Sequence, residues 1–256
     1  MSALLHDKIA IITGAGAGIG EAIARAFSAE GARVVVSDID LARAEKVAAT
    51  LPGALAVGAD VRDEAQVQAL VERTVAEYGR LDVVVPNAGI ATTVPLTELT
   101  FAQWRDVMSV NLDGVFLTIR HSLPALLASG GGSIVTISSI TSTAGSALVS
   151  SYAAAKAAVR NLTETVSAEL RAHGIRANAL LPGFIDTELV TSHQGDFEAA
   201  LGLQAGGFDE LIAAKQTRYG RVEEVAAAAV FFASDQSAWC NGSSLILDGG
   251  FRGALL

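Results

Sequence analysis

Tyr152 and Lys156 stand four residues apart in the alanine-rich run Ser151-Tyr-Ala-Ala-Ala-Lys-Ala-Ala-Val159. On a helix that spacing puts both side chains on one face, with only alanines between them. A phenol beside an ammonium is a candidate general acid/base. A free tyrosine titrates near pH 10, so lowering it by about three units takes ~4 kcal/mol of preferential tyrosinate stabilisation. A lysine in a partly desolvated cleft supplies part of that, and a second positive charge would supply more. A phenol tuned toward the working pH can exchange a proton with an alcohol or carbonyl oxygen. The alternative is a solvated helix pair worth about 0.2–0.5 kcal/mol.

A second chemical feature lies near the start. Thr13-Gly14-Ala15-Gly16-Ala17-Gly18-Ile19-Gly20 follows an apolar run and precedes a helical pattern. The spacing is T-G-x-x-x-G-x-G on Gly14, Gly18 and Gly20, not the G-x-G-x-x-G of the general dinucleotide fingerprint. Its physics is similar: small residues let the backbone approach a pyrophosphate, whose charge sits at the N-terminus of the next helix. A tight turn with no ligand is the alternative. Asp38 closes the second apolar run, where a carboxylate can accept hydrogen bonds from ribose hydroxyls and would repel a 2′-phosphate. No Arg or Lys occupies Ala15, Ala17 or Ile39. Asp38 or Asp40 could also cap the helix that follows. Methyltransferases share such a glycine turn and acid, so these two features do not by themselves define a reaction.

These residues need elements to hold them. Strands are expected at Lys8–Thr13, Arg33–Asp38, Ala54–Ala59, Asp82–Val85, Ser133–Ser138, Ile175–Leu181 and Ser244–Leu247. Their apolar runs hardly alternate, as in parallel strands covered on both faces. Helices are expected at Ile19–Glu30, Leu41–Thr50, Glu64–Tyr78, Phe101–Ala128, Ser151–His173 and Val222–Ser234. Gly31, Gly79 and Gly174 each close a helix just before a strand. Thr100 and Gln103 have the spacing of a capping box that opens the helix at Phe101. This alternation implies right-handed crossovers and an α/β fold, a doubly wound parallel sheet of about seven strands with helices on both faces. No repeat or Pro/Ser-rich linker divides the chain, so residues 1–256 read as one domain. From about Glu188 to Thr217 a glycine-containing, partly helical insertion breaks the rhythm and reads as a substrate lid or a disordered loop.

Composition narrows the classes. The chain has 256 residues, 51% of them hydrophobic and 18% charged, with 25 glycines and a formal net charge of -9. The negative balance argues against nucleic acid and anionic membrane surfaces as partners. No apolar run approaches the ~18 residues of a membrane span. The first eight residues, Met1 to Lys8, lack the basic head and apolar stretch of a signal peptide, so no export is expected. The one cysteine, Cys240, forms no intrachain bridge, which suits a reducing compartment such as the cytoplasm. The four histidines, His6, His121, His173 and His193, are scattered, and no metal site is expected.

Taken in order, the motifs resemble the short-chain dehydrogenase/reductase family, in its ordinary form of roughly 250 residues. They are T-G-x-x-x-G-I-G, Asp60-Val61, Asn87-Ala88-Gly89, Asn111, Ser139, Tyr152-x-x-x-Lys156 and Pro182-Gly183. The resemblance runs from the Thr13–Gly20 loop to Asp248-Gly249-Gly250 and implies a Rossmann-type sheet. It implies that Tyr152 exchanges the proton with the substrate oxygen and that Ser139, rather than Ser138, polarises that oxygen. Lys156 would lower the Tyr152 pKa and bind the nicotinamide ribose. Asn111 would anchor a water in a proton relay through Lys156; otherwise it is a surface or helix-bending residue. Gly14, Gly18, Ile19 and Gly20 would line the pyrophosphate, Asp60 and Val61 would hold the adenine, and Asn87, Ala88 and Gly89 would line the cofactor. Pro182 and Gly183 would also line it, Thr187 would contact the carboxamide, and Asp38 matches the family's NAD-selecting position. Pro86 departs from the pattern, replacing an asparagine by a residue with no backbone donor.

The expected activity is an NAD-dependent interconversion of a secondary alcohol and a ketone, without metal. Candidate substrate walls are Thr92, Val94, Ile140, Gly145, Phe184, Leu189, Val190, Phe197 and Leu203, unless those of the insertion simply pack among themselves. Such an apolar pocket suits a hydrophobic alcohol better than a polyol. A 3-oxoacyl-thioester reductase and an idle NAD-binding scaffold are the alternatives. The expected assembly is a homotetramer pairing the Phe101–Ala128 and Ser151–His173 helices, with the tail Phe251–Leu256 covering a neighbour.

Overall fold

Seven apolar runs form one sheet in the computed structural model, which describes residues 3–253. The strands are β1 (Ile9–Thr13), β2 (Arg33–Asp38), β3 (Leu55–Gly58), β4 (Val83–Val85), β5 (Gly132–Ile137), β6 (Ile175–Pro182) and β7 (Ser244–Leu247). All pairings are parallel, in the order β3-β2-β1-β4-β5-β6-β7. The chain winds outward from β1 to one edge, returns to β4 beside β1, and continues to the other edge. That reversal opens a crevice at the carboxyl ends of β1 and β4, where ligands of open α/β sheets bind.

The lack of alternation in these strands has a simple cause, because both faces are covered. In β1, Ala10 and Ile12 join one buried cluster while Ile11 joins the other; β2 divides Val34 and Val36 from Val35 in the same way. In β4, Val83 and Val85 face one side and Val84 the other. On the first face α1 (Gly18–Ala29) and α10 (Val222–Ala233) supply Ile23, Phe27, Val225 and Phe232. On the second, α3 (Glu64–Tyr78), α5 (Gly114–Ala128) and α6 (Ser150–Leu170) supply Leu70, Ile119 and Val159. Each such side chain contributes about 1.5–3 kcal/mol on burial.

The helix stops follow the glycines: Gly31, Gly79 and Gly174 adopt φ of +88°, +79° and +70°. Asp40, not Asp38, caps α2 (Leu41–Ala48), accepting from the amides of Ala42 and Arg43. Thr100 and Gln103 form the expected capping box at α4 (Phe101–Met108).

The single helix expected over Phe101–Ala128 is a correction. A π-helical turn, Ser109–Asp113, separates α4 from α5. It turns Asn111 fully inward, where Oδ1 accepts from the Ile90 amide and Nδ2 donates to the Ile90 carbonyl, both at 2.8 Å. Two backbone groups of the β4 loop are thereby satisfied, and single π turns of this kind recur at functional sites. The helix expected to run to His173 ends at Leu170 and continues as a 3₁₀ turn.

The insertion is helical: α7 (Glu188–Thr191), α8 (Gln194–Leu201) and α9 (Gly207–Gln216). Aromatic rings hold it together. Phe197 stacks on Phe208 at 4.9 Å, and Phe184 lies 5.4 Å from both Phe208 and Phe251. The last three residues of the Phe251–Leu256 tail lie outside the described residues.

Candidate active site

A groove of about 640 Å³ follows the carboxyl ends of the strands. At its centre is the glycine turn. Gly14 and Gly18 take φ of +62° and +59°, a region that L side chains rarely enter. A Cβ on Gly14 would lie 2.7 Å from the Ala88 Cα, and one on Gly20 would sit inside the Gly14 carbonyl. Gly20 therefore packs behind the groove, while Gly14, Gly18 and Ile19 line it. Asn87 clasps the turn, its Nδ2 donating to the carbonyls of Thr13 and Gly14 at 2.9 and 3.0 Å. The amides of Asn87 and Ala88 both donate to Thr13 Oγ1, so the loop after Pro86 is held without a proline donor.

These residues fit a dinucleotide pyrophosphate. Asp40, Asp63 and Thr100 cap α2, α3 and α4 with side chains, whereas Ala17 before α1 supplies none. The first amides of α1 thus face the groove with no side-chain acceptor, beside a cradle too tight for any Cβ. Such amides, at the positive end of the helix dipole, suit an anion.

Asp38 lines the groove at one end. Its Oδ2 accepts from the Gly16 amide and its Oδ1 from the Asp40 amide, at 2.9 and 3.0 Å. One backbone bond per oxygen leaves each able to accept a hydroxyl as well. Asp60 and Val61 also line this end. The Asp60 carboxylate is gripped by Arg62 through Nε, Nη2 and the main-chain amide, which holds it below the usual carboxylate range. Arg62 also reaches Asp106 on α4 at 3.2 Å. Arg43 and Arg62 are groove residues that motif spacing missed; nothing in the sequence near Asp38 or Asp60 marks their partners.

At the other end stand Tyr152 and Lys156, on the first turns of α6. The Lys156 ammonium lies 5.5 Å from the Tyr152 ring centroid and donates to the Ile137 carbonyl at 2.8 Å. The two adjacent serines do different work. Ser138 Oγ donates to the Lys156 carbonyl at 2.8 Å and so belongs to the helix anchor. Ser139 opens a 3₁₀ turn, and its hydroxyl lies against the Tyr152 phenol. Asn111 Oδ1 and Lys156 Nζ lie 3.4 and 3.7 Å from the point a Gly89 Cβ would occupy, so both flank the same glycine. Both ends of the Asn111 amide are engaged by Ile90, which fixes the side chain in place.

The pKa directions add what the spacing does not show, the desolvation of both groups. Burial pushes Tyr152 up to about 12, opposed only by Ser139, and pushes Lys156 down to about 8. Ionising Tyr152 at pH 7 then takes about 7 kcal/mol. A charged lysine over the ring offsets part of that cost. A second positive charge beside the phenol would offset more.

On the substrate side, Leu189 and Val190 line the groove together with Pro182, Gly183 and Thr187. Phe184 and Phe197, also expected as walls, pack on each other and on Phe208, and Leu203 covers Gly207. Gln216, buried at the end of α9, clamps both backbone groups of Phe184. Leu148 takes φ of +70°, an unusual conformation for a leucine, and its carbonyl accepts from the Val94 amide. Ile140 is buried and Gly145 is exposed, while Thr92 and Val94 are half-buried. A larger groove of about 1010 Å³ runs between α1 and α10; it shares Gly18, Thr187 and Glu188 with the first groove but holds neither Tyr152 nor Lys156. Among the described residues no group of three His, Cys, Asp or Glu is placed to hold a metal, and no helix is long and apolar enough to cross a membrane.

Comparison with known proteins agrees with this geometry. The family model described as Enoyl-(Acyl carrier protein) reductase matches residues 14–252. A cis-4-hydroxycyclohexanecarboxylate dehydrogenase of Sinomonas cyclohexanicum is 43% identical, over 98% of this chain and 99% of that protein. A D-threitol dehydrogenase of Mycolicibacterium smegmatis is 36% identical, over 96% of this chain and 94% of its own. Among solved structures, levodione reductase superposes with a TM-score of 0.89 at 34% identity, covering 97% of this chain and 99% of that one.

Proposed function

The chain belongs to the short-chain dehydrogenase/reductase family, and on that premise we propose that it interconverts a secondary alcohol and its ketone with NAD(H), acting on a mainly apolar, ring-sized substrate. One observation carries the reading: the Tyr152 phenol between Ser139 and Lys156, in a groove continuous with the glycine turn. A bound nicotinamide would supply the hydride acceptor and, when oxidised, a second positive charge near the phenol. Tyr152 takes the hydroxyl proton during oxidation and returns one to the carbonyl oxygen during reduction. Ser139 hydrogen-bonds that oxygen and fixes its direction. Lys156 acts through Tyr152 and on the ribose, and Asn111 positions the π turn and the Gly89 loop. Gly14, Gly18, Ile19, Asp60, Val61, Ala88, Gly89, Pro182, Gly183 and Thr187 are the residues that would hold the dinucleotide. Asp38 supports NAD over NADP, since a carboxylate accepts ribose hydroxyls and repels a 2′-phosphate.

The substrate reading draws on Leu189 and Val190 in the groove wall and on the 43% identity to a dehydrogenase named for a cyclohexane ring. We read residues 1–256 as one folding unit with 188–217 as its substrate lid. A cytoplasmic location rests on the lone Cys240, half-buried and free. A homotetramer is supported by Phe101 and Phe116 exposed on α4 and α5, and by Trp239, Leu245 and Ile246 exposed at the β7 edge. Such apolar surface is what subunit packing covers. Sedimentation of a stable monomer at micromolar concentration would contradict that assembly.

The test of activity is a panel of cyclohexanols, C4 polyols and 3-hydroxyacyl thioesters, each with NAD⁺ and NADP⁺, read by absorbance of the reduced cofactor. Turnover should be greatest for a ring alcohol with NAD⁺. Preference for the thioester with NADP⁺ would replace this reading by a 3-oxoacyl-thioester reductase. Cofactor binding without turnover of any class would favour a scaffold.

A further inference from the structure

The end of the groove beside Asp38 carries an ion pair that the reaction does not use. Arg43, in the first turn of α2, places Nη1 3.1 Å from Glu188 Oε2. Glu188 opens α7, at the start of the insertion and 145 positions along the chain. Arg43 Nε also lies 3.6 Å from Asp40. Both members of the pair line the groove. A Cβ built on Gly16 would lie 2.7 Å from the Arg43 Cβ and 2.9 Å from Asp38 Oδ2, so the stem of Arg43 and the Asp38 carboxylate flank one glycine. Asp38, Asp40 and Glu188 thus surround a single guanidinium. The other arginine on the groove, Arg62, is held by Asp60 and Asp106.

We propose that Glu188 is a cofactor-selectivity residue, acting by holding Arg43 in an ion pair across the groove so that it cannot serve a phosphate on the adenosine ribose. A free guanidinium at this position would meet such a phosphate with a forked, charge-assisted hydrogen-bond pair. Paired with Glu188, the same arginine has Nη1 engaged and its charge offset, and the excess carboxylate charge repels a dianion. Selectivity then has two parts: the carboxylate of Asp38 at the ribose, and the neutralisation of its nearest cation by a residue from the opposite side of the groove. The inference rests on reading Asp38 as the ribose-binding residue. It adds that a substitution in the insertion, far from Asp38 in sequence, changes the choice of dinucleotide.

The experiment measures dissociation constants for NAD⁺ and NADP⁺ by titration calorimetry on the full chain. The proteins are wild type, Glu188→Gln, Arg43→Ala and the double variant. Arg43 and Glu188 side chains are 51% and 73% exposed, so the variants should fold, and circular dichroism checks that they do. In Glu188→Gln the ratio of the NADP⁺ to the NAD⁺ constant should fall about tenfold at low ionic strength, where such charge effects are least screened. Adding Arg43→Ala to Glu188→Gln should abolish the gain, because the freed guanidinium produces it. An unchanged ratio in Glu188→Gln, or a gain that survives loss of Arg43, overturns the proposal while leaving the NAD reading intact. Wild type binding NADP⁺ more tightly than NAD⁺ overturns the Asp38 reading itself.

Discussion

Replacing Lys156 by methionine should abolish activity and remove a pH-dependent cost that the buried ammonium imposes on the fold, set against the loss of its hydrogen bond to the Ile137 carbonyl. Lys156 is 3% exposed and its ammonium titrates near 8, against an ordinary lysine value of 10.5. Its folded pKa is depressed, so between those values the unfolded chain binds more protons and stability rises with pH. Below pH 8 the folded state carries the full desolvation cost, about 3 kcal/mol at order of magnitude. Integrated from pH 7 to 9.5, wild type should gain about 2 kcal/mol from this one group, and Lys156→Met should lack that gain. The raised pKa of Tyr152 acts with the opposite sign, but only above pH 10, outside the window. The assay is urea unfolding of both proteins at fixed concentration across that range, which cancels the other titrating groups. For a chain of this size the gain corresponds to roughly 4–8 °C in Tm. Parallel stability curves for the two proteins from pH 7 to 9.5 would refute the reasoning.

The two serines at the end of β5 should behave differently. Ser139→Ala should lower kcat about 10²–10³-fold, with a stability loss of about 0.5–2 kcal/mol from the Thr141 amide that its hydroxyl caps. Ser138→Ala should remove the added hydrogen bond to the Lys156 carbonyl and cost about 0.5–1.5 kcal/mol of stability, measured by thermal unfolding. Gly20→Ala forces a methyl group into the Gly14 carbonyl, so the turn must shift. Calorimetry should show NAD⁺ affinity reduced at least about tenfold, with a loss of at least ~1 kcal/mol in stability.

Much of this architecture is legible from residue order because local rules and tertiary packing agree. Val83, Val84 and Val85 read as a strand buried on both faces, and they are. Gly31, Gly79 and Gly174 read as helix stops because left-handed backbone is a local demand. Gly14, Asp38, Asp60, Asn87 and Pro182 gather at one crevice because they lie at or just past the carboxyl ends of parallel strands. What failed to show was tertiary. A π turn at Asn111 leaves the apolar period of the helix nearly intact, and its cause is the Ile90 backbone, 21 positions away. Asp38 and Asp40 are equivalent by spacing; only the amides of Ala42 and Arg43, bonded to Asp40, assign the cap. The pairing of Arg43 with Glu188 has no local signature. The desolvation of Tyr152, which raises its pKa, has no local signature either. Spacing reveals the lysine, but desolvation by the surrounding fold outweighs it.

The central claim is that Tyr152 carries the proton in an alcohol–ketone interconversion. It is tested most directly by Tyr152→Phe, which removes one oxygen and keeps the ring. With NAD⁺ and the best alcohol of the panel, kcat should fall by about 10²–10⁴-fold. Calorimetry should show NAD⁺ still bound. Turnover near the wild-type rate in this variant would contradict the account.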